Sequence, residues 1–281
     1  MMMDSYSVVM SVYEKDNPKW LSEAVDSMLA QTVPPSEMVI VKDGALPTEL
    51  ESVLSDYCDG YPGIFKFVSY PENQGLGYAL QRGVSACQYP VIARMDADDI
   101  SIPNRMELQL GAMKRDDLDM VGSQVIEFDS NTGTSVALTE LPEKHQEIVE
   151  YSKRRNPFRH PSITFKKESV LAAGNYNPEF LYFEDWDLFN RMLSIGCKSA
   201  NLQNPLVYMR VNNGFYARRG GRQYLKYAYR FKRAQVKRGW FTWMDFVLSF
   251  IPQAAISLLP NSIRTYVYVT LLRKPLAPQK G

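Results

Sequence analysis

Asp96-Ala97-Asp98-Asp99 follows directly on an apolar run, Val91-Ile92-Ala93-Arg94-Met95. In extended chain Asp96 and Asp98 project to the same side, and short carboxylates are the hard oxygen ligands that a divalent cation on a diphosphate requires. The competing role is capping, with Asp98, Asp99 or Ser101 closing the first turn of a helix opened by Pro103. A second acidic group, Glu184-Asp185-Trp186-Asp187, opens a helical pattern over 184–196. Acids there complement the helix dipole. Alternatively, one of them removes a proton from an acceptor hydroxyl, with Trp186 lowering the local polarity and raising that carboxyl toward its working range. Arg191, six residues beyond Asp185, could pair with a pyrophosphate or with a helix neighbour.

Other polar groups sit where a ligand could use them. Asp43-Gly44 could accept a hydrogen bond from a base nitrogen, with the Tyr13 ring against the base, or it could be an ordinary turn. Asn73-Gln74-Gly75-Leu76-Gly77 could line a nucleotide pocket, since its glycines allow close backbone approach, or simply enter a helix. His160-Pro161 could order a metal or acceptor region. Two histidines without H-x-x-x-H spacing argue against a zinc hydrolase. The absence of G-x-S-x-G and of a phosphate-binding G-x-x-x-x-G-K-[ST] loop argues against a serine hydrolase and a P-loop kinase.

The elements that would position these groups read as alternating strands and helices. Apolar runs at 7–12, 38–41, 64–68 and 91–95 predict strands. Helical patterns at about 18–31, 47–58 and 75–87 separate them, the first opened by Pro18. That alternation predicts a parallel sheet, and each strand ends in one of the polar loops above, so all four loops border one crevice. Further on, 120–126 and 162–165 read as strands and 184–196 as a helix stopped by Gly196.

The net charge of +1 conceals a division: residues 1–217 carry 19 Lys/Arg against 30 Asp/Glu, whereas 218–281 carry 13 against Asp245 alone. Nine of those cations lie within 218–238, and an apolar stretch over 240–260 follows, broken by Asp245, Pro252 and Gln253. Such an end seeks an anionic partner, nucleic acid or anionic lipid. Too few consecutive apolar residues are present for a clean membrane span, so the expectation is a helix lying in the membrane surface, with a helical lid on the protein as the alternative. Three scattered cysteines and an N-terminus without a secretory pattern fit a reducing cytoplasm.

In order along the chain, Ser11-Val12-Tyr13, Val41-Lys42-Asp43-Gly44, Asn73-Gln74-Gly75-Leu76-Gly77, Arg94-Met95-Asp96-Ala97-Asp98-Asp99, Asn104-Arg105, His160-Pro161-Ser162, Gly174-Asn175-Tyr176 and Glu184-Asp185-Trp186-Asp187-Leu188 resemble the family 2 inverting glycosyltransferases. The resemblance runs from about residue 5 to 211. It implies an α/β GT-A fold with a Rossmann-like, mostly parallel central sheet. The catalytic domain would span 1–217, divided into a nucleotide-sugar half (1–115) and an acceptor half (116–217), and 218–281 would be a helical membrane-associating extension.

The resemblance further implies a UDP-sugar donor held by Val12, Tyr13, Glu14 and Asp43, with Asp96 on the ribose or the metal. Asp98 would coordinate Mg²⁺ or Mn²⁺, and Asp185 would be the general base with Glu184 next in line. Arg82 stands where relatives often have asparagine, and Glu14-Lys15-Asp16 replaces the usual residue after the first strand. The C-terminal end resembles capsule, O-antigen and exopolysaccharide transferases of bacteria. That implies a lipid-linked saccharide acceptor at the cytoplasmic face of the inner membrane, and no nucleic acid. A metal-dependent nucleotidyltransferase and a non-catalytic carbohydrate- or lipid-binding module are the alternatives; the first lacks its glycine-rich basic loop after the first strand.

Overall fold

A computed structural model describes residues 5–130, 132–211, 220–260, 263–264 and 274–275. Strands β1 (Tyr6–Val12), β2 (Glu37–Asp43), β3 (Phe65–Tyr70) and β4 (Val91–Arg94) form a parallel half-sheet in the order β3-β2-β1-β4. Alternation along each strand divides two cores. Val8, Met10, Val12, Met38 and Ile40 face helices α1 (Pro18–Leu29) and α2 (Thr48–Gly60), whereas Val9, Val39 and Val41 face α3 (Leu76–Ala86). Asn17 caps α1 by accepting from the N–H groups of Lys19 and Trp20, which lets Leu21, Ala24, Val25 and Met28 line up on its buried face. Gly83 lets α3 settle on the sheet, because a β-carbon there would lie 2.5 Å from Val9 and 2.9 Å from Val41.

Beyond β4 the sheet is mixed. β5 (Ile100–Ser101), β6 (Met120–Asp129), β7 (Ser135–Leu138), β8 (Thr164–Lys166), β9 (Ser199–Val211) and β10 (Lys274–Pro275) extend it. β8 runs antiparallel between β4 and β6, while β9 runs parallel to β6. Uninterrupted parallel pairing therefore belongs to the first four strands, with β6–β9 a further parallel pair, and β5, β7 and β9 are strands that periodicity did not reveal. α4 (Arg105–Asp116) begins two residues after Pro103, and no side chain caps it. α5 (His145–Ser152), α6 (Lys167–Ala172) and α7 (Glu184–Ser194) complete this part.

Two helices follow, α8 (Gly221–Lys237) and α9 (Trp243–Leu258). α8 buries Tyr224, Ala228, Phe231, Lys232 and Gln235. Phe231 stacks on Phe183 at 5.0 Å and meets Trp186 at 4.9 Å. The expected boundary at 217 lies outside the described residues.

Candidate active site

Beyond the end of β4, oxygens of Asp96, Asp98 and Asp99 come within 4.8 Å of one another, a geometry that can hold one cation. None of these acids caps α4, so the capping role falls away. Asp99 is buried; its Oδ1 accepts from the Arg210 N–H at 2.7 Å, and its Oδ2 has no hydrogen-bond partner. Burial, then the charges of Asp98 and Asp96, hold the Asp99 carboxyl well above the usual range. Three crowded carboxyls, one with an orphaned buried oxygen, fit a hard divalent cation, which would relieve their mutual repulsion. Arg210 braces the loop from beneath: Nε donates to the Asp98 carbonyl and Nη2 to Glu23.

Asp16, from the loop after β1, joins this acidic centre. Its Oδ2 accepts from the Tyr13 N–H at 2.9 Å. Burial, helped by the Asp98 and Asp96 charges and opposed by that hydrogen bond, raises its carboxyl to about 7.

The second acidic group reaches the same centre from α7. Gly77 in α3 makes the approach possible, since a β-carbon there would meet Pro178 Cα at 3.1 Å and Glu184 Cβ at 3.3 Å. The Asp185 carboxylate is oriented by the Asn156 amide at 2.6 Å and by the Trp186 N–H at 2.7 Å. Glu184 is buried with Oε2 unpartnered, and burial, then the Asp185 charge, raise its carboxyl to about 8. The raised carboxyl is thus Glu184, and its own burial is the first cause. The neighbouring Trp186 ring joins the aromatic cluster with Phe231, and its Nε1 donates to the Ser152 carbonyl at 2.8 Å.

Arg94 and Tyr176 connect the two acidic groups. Arg94 is fully buried and donates to Asp96 through Nη2, while its Nε and Nη1 have no hydrogen-bond partner. The Tyr176 phenol is kept protonated first by burial; Arg94 opposes this, and the charges of Asp185, Glu184 and Asp96 add to it. His160 holds that phenol at 2.9 Å, and burial, then Arg94, keep the imidazole neutral. Asp96 and the Glu184–Asp185 pair therefore lie within electrostatic reach of one tyrosine.

The remaining predicted residues divide. The Val12 side chain is wholly buried in the core, so only its backbone can meet a ligand. Tyr13 is partly buried and Glu14 exposed in the same loop. Asp43 is buried and already engaged: Oδ1 accepts from Tyr70 at 2.9 Å and Gln74 N at 2.7 Å, and Oδ2 from Gly75 N at 3.1 Å. Its carboxylate shapes the Asn73–Gly75 loop, and Asn73 donates back to the Asp43 carbonyl. Gly44, at φ +91°, and Gly75, at φ +85°, permit that turn.

Arg82 and Arg191 differ in their surroundings. Arg82 is exposed on α3, away from the face that packs on the sheet, with Tyr70 as the group it acts on. Arg191 cannot serve a pyrophosphate as it stands: it pairs with Asp187 at 2.8 Å and donates to the carbonyls of Ala173 and Asn175. It is a structural pin for the 173–175 turn.

Asp99, Asp16, Arg94 and Tyr176 are the residues that pattern reading left without a role in the centre. For Arg94 a signal existed, a charge inside a fully buried apolar strand.

Comparison with known proteins agrees with this geometry. The sequence pattern described as Glycosyl transferase family 2 matches residues 7–173. A UDP-Gal:alpha-D-GlcNAc-diphosphoundecaprenol beta-1,3-galactosyltransferase of Escherichia coli is 38% identical over 274 residues, covering 96% of this chain and 97% of its own. The amylovoran biosynthesis glycosyltransferase AmsE of Erwinia amylovora is 33% identical over 267 residues, covering 94% and 97%. Among solved structures, S. aureus TarS 1-349 in complex with UDP-GlcNAc superposes with a TM-score of 0.61 at 15% identity, covering 81% of this chain and 65% of that one. The mannosyltransferase PcManGT from Pyrobaculum calidifontis, in complex with GDP-Man and Mn2+, gives 0.59 at 16%, covering 83% and 64%. This chain thus spans just under two thirds of those two structures, and the likeness is one of fold. With a family pattern over more than half its length and relatives matched nearly end to end, the chain belongs to glycosyl transferase family 2 and is a glycosyltransferase of GT-A type.

Proposed function

We propose that this enzyme moves a hexose, with inversion, from a UDP-sugar to a hydroxyl of a saccharide carried on a lipid diphosphate, in the synthesis of a bacterial surface polysaccharide. The observation that carries the reading is the convergence of the Asp96–Asp98–Asp99 cluster and the Glu184–Asp185 pair around Arg94 and Tyr176. The Escherichia coli relative, whose name specifies UDP-Gal and GlcNAc-diphosphoundecaprenol, makes galactose the first donor to try.

In this reading Asp98 and Asp99, with Asp96, hold Mg²⁺ or Mn²⁺. The cation, when bound, offsets the charge that develops on the leaving diphosphate. Asp96, pinned by Arg94, meets the ribose or the metal. The backbone at Val12 and the side chains of Tyr13 and Glu14 border the base, and Asp43 supports it indirectly through the Asn73–Gly75 loop. Asp185 takes the proton of the attacking hydroxyl. Of two adjacent acids one keeps its proton, and burial makes that one Glu184, so the more accessible Asp185, already aimed by Asn156, is the acceptor. An in-line single displacement needs no covalent nucleophile.

The same reading puts 218–281 on the cytoplasmic face of the membrane as a peripheral anchor. No described helix is long and apolar enough to cross a membrane. α9, however, is inverted: Asp245, Ser249, Gln253 and Ser257, one turn apart, face inward, while Trp243, Met244, Val247, Leu248, Ile251 and Leu258 are exposed. Two of the three residues that interrupt its apolar run are used within the protein, Asp245 in a capping box with Thr242 and Gln253 on the Tyr224 hydroxyl, whereas Pro252 is exposed. An outward apolar face beside a basic helix suits a surface of anionic lipid.

The test is a screen of nucleotide sugars with Mn²⁺ and a GlcNAc-diphosphate-lipid acceptor. Transfer from UDP-galactose with an inverted anomeric linkage is expected; transfer from no UDP-hexose would defeat the proposal.

A further inference from the structure

α8 has a second face besides the one buried on α7. Arg222, Lys226, Arg230, Arg233 and Lys237 form an exposed cationic stripe, spaced three or four residues apart. Along its second half lies a cleft of about 370 Å³, lined by Arg230, Arg233, Lys237, Tyr229, Phe180 and Glu179, with Ala234 at its base. No carboxylate pairs with these three cations among the described residues, and Glu179 is the single acid of the cleft. The adjacent Arg238 does have a partner, Asp187, which also accepts from Gln235 at 2.9 Å.

The position of the cleft suggests its use. Phe180 begins the turn that leads into α7, where the Phe183 N–H donates to the Phe180 carbonyl at 2.8 Å, and Glu184 and Asp185 follow at once. The opposite side of the cleft, Tyr229, packs edge-on against Phe246 and Phe250 of α9, each at 5.8 Å. Through these contacts the cleft lies between an apolar outer helix and the turn that carries the acid pair. A polyisoprenoid tail, a diphosphate and a saccharide present the same order of chemistry.

We infer that the Arg230–Arg233–Lys237 cleft binds the diphosphate of the lipid-linked acceptor and so directs its sugar toward Asp185. The inference rests on the acceptor class proposed above. Arginine forks match phosphate oxygens in pairs, and lysine adds a point charge. Three unpaired cations against one acid suit a diphosphate diester with two negative charges.

The experiment compares wild type with the R230A/R233A/K237A triple variant on two water-soluble acceptors: GlcNAc joined through a diphosphate to a butyl group, and the butyl glycoside of GlcNAc without phosphate. The triple variant should raise KM for the diphosphate acceptor by about tenfold or more, leave KM for the UDP-sugar unchanged, and leave the neutral acceptor as weak as it is for wild type. E179Q should lower KM for the diphosphate acceptor only. An unchanged KM, or an equal loss on both acceptors, overturns the inference. A loss seen only when the acceptor is embedded in phosphatidylglycerol vesicles also overturns it, and assigns the cations to lipid headgroups. Calorimetric titration with the butyl diphosphate acceptor, without donor, separates the two claims. Binding that the triple variant loses supports the cleft even if no transfer occurs, whereas transfer without that loss removes the cleft and keeps the reaction.

Discussion

The β1–β4 half-sheet and helix α9 follow opposite rules. In the half-sheet the apolar alternation of Val8, Met10 and Val12 against Val9 maps directly onto two cores, and acids gather at the strand ends where a cation can neutralise them. In α9 the sorting is reversed, with serines, Gln253 and Asp245 facing inward and Trp243 and Ile251 outward, while α8 sorts normally except for Lys232, buried over the Trp186 ring at 5.2 Å. Hydrophobic sorting records the solvent a surface meets. A helix that turns its apolar side outward indicates that water is not its only neighbour.

The largest expected effect breaks the acidic side of that contrast. Asp98→Ala should lower turnover on the order of a thousandfold without shifting Tm downward, since it relieves crowding among carboxyls; near-normal turnover would remove the metal role. Asp185→Asn should cost about 10²–10⁴-fold in turnover while UDP still binds, and full turnover would hand proton acceptance to Glu184.

On the helical side, Trp243→Asp with Ile251→Asp should leave Tm unchanged and detach the protein from anionic vesicles in a flotation assay. Retention on the vesicles would mean that α9 faces another protein surface. Arg191→Ala should lower Tm by roughly 5 °C or more yet leave UDP affinity intact, which separates a pin from a ligand.

The smallest effect concerns pH. Burial lowers the Lys232 ammonium to about 7. Between about 7 and 10.5 the folded protein therefore sheds a proton that the unfolded chain retains, and stability is lost progressively as pH falls across that window toward 7. Lys232→Met should gain about 2–4 °C in Tm over wild type at pH 6, a margin that narrows toward pH 9; equal margins at both would refute the buried, uncharged lysine.

By itself the sequence determined the strand–helix alternation, the loops at the strand ends and the two acidic motifs, because apolar periodicity and residue type are local properties. The basic and apolar division of the last quarter was equally plain. Only the tertiary structure decided which acids meet: Asp16 and Asp99 enter the centre from chain segments whose local pattern also fits turns and caps. It likewise showed Asp43 and Arg191 engaged within the protein: helix spacing allows for the Arg191–Asp187 pair, but the backbone groups of Gln74, Gly75, Ala173 and Asn175 that these side chains also hold follow no spacing rule. The face that α9 presents outward was hidden for the same reason, since an amphipathic pattern names two faces but not which one the protein covers.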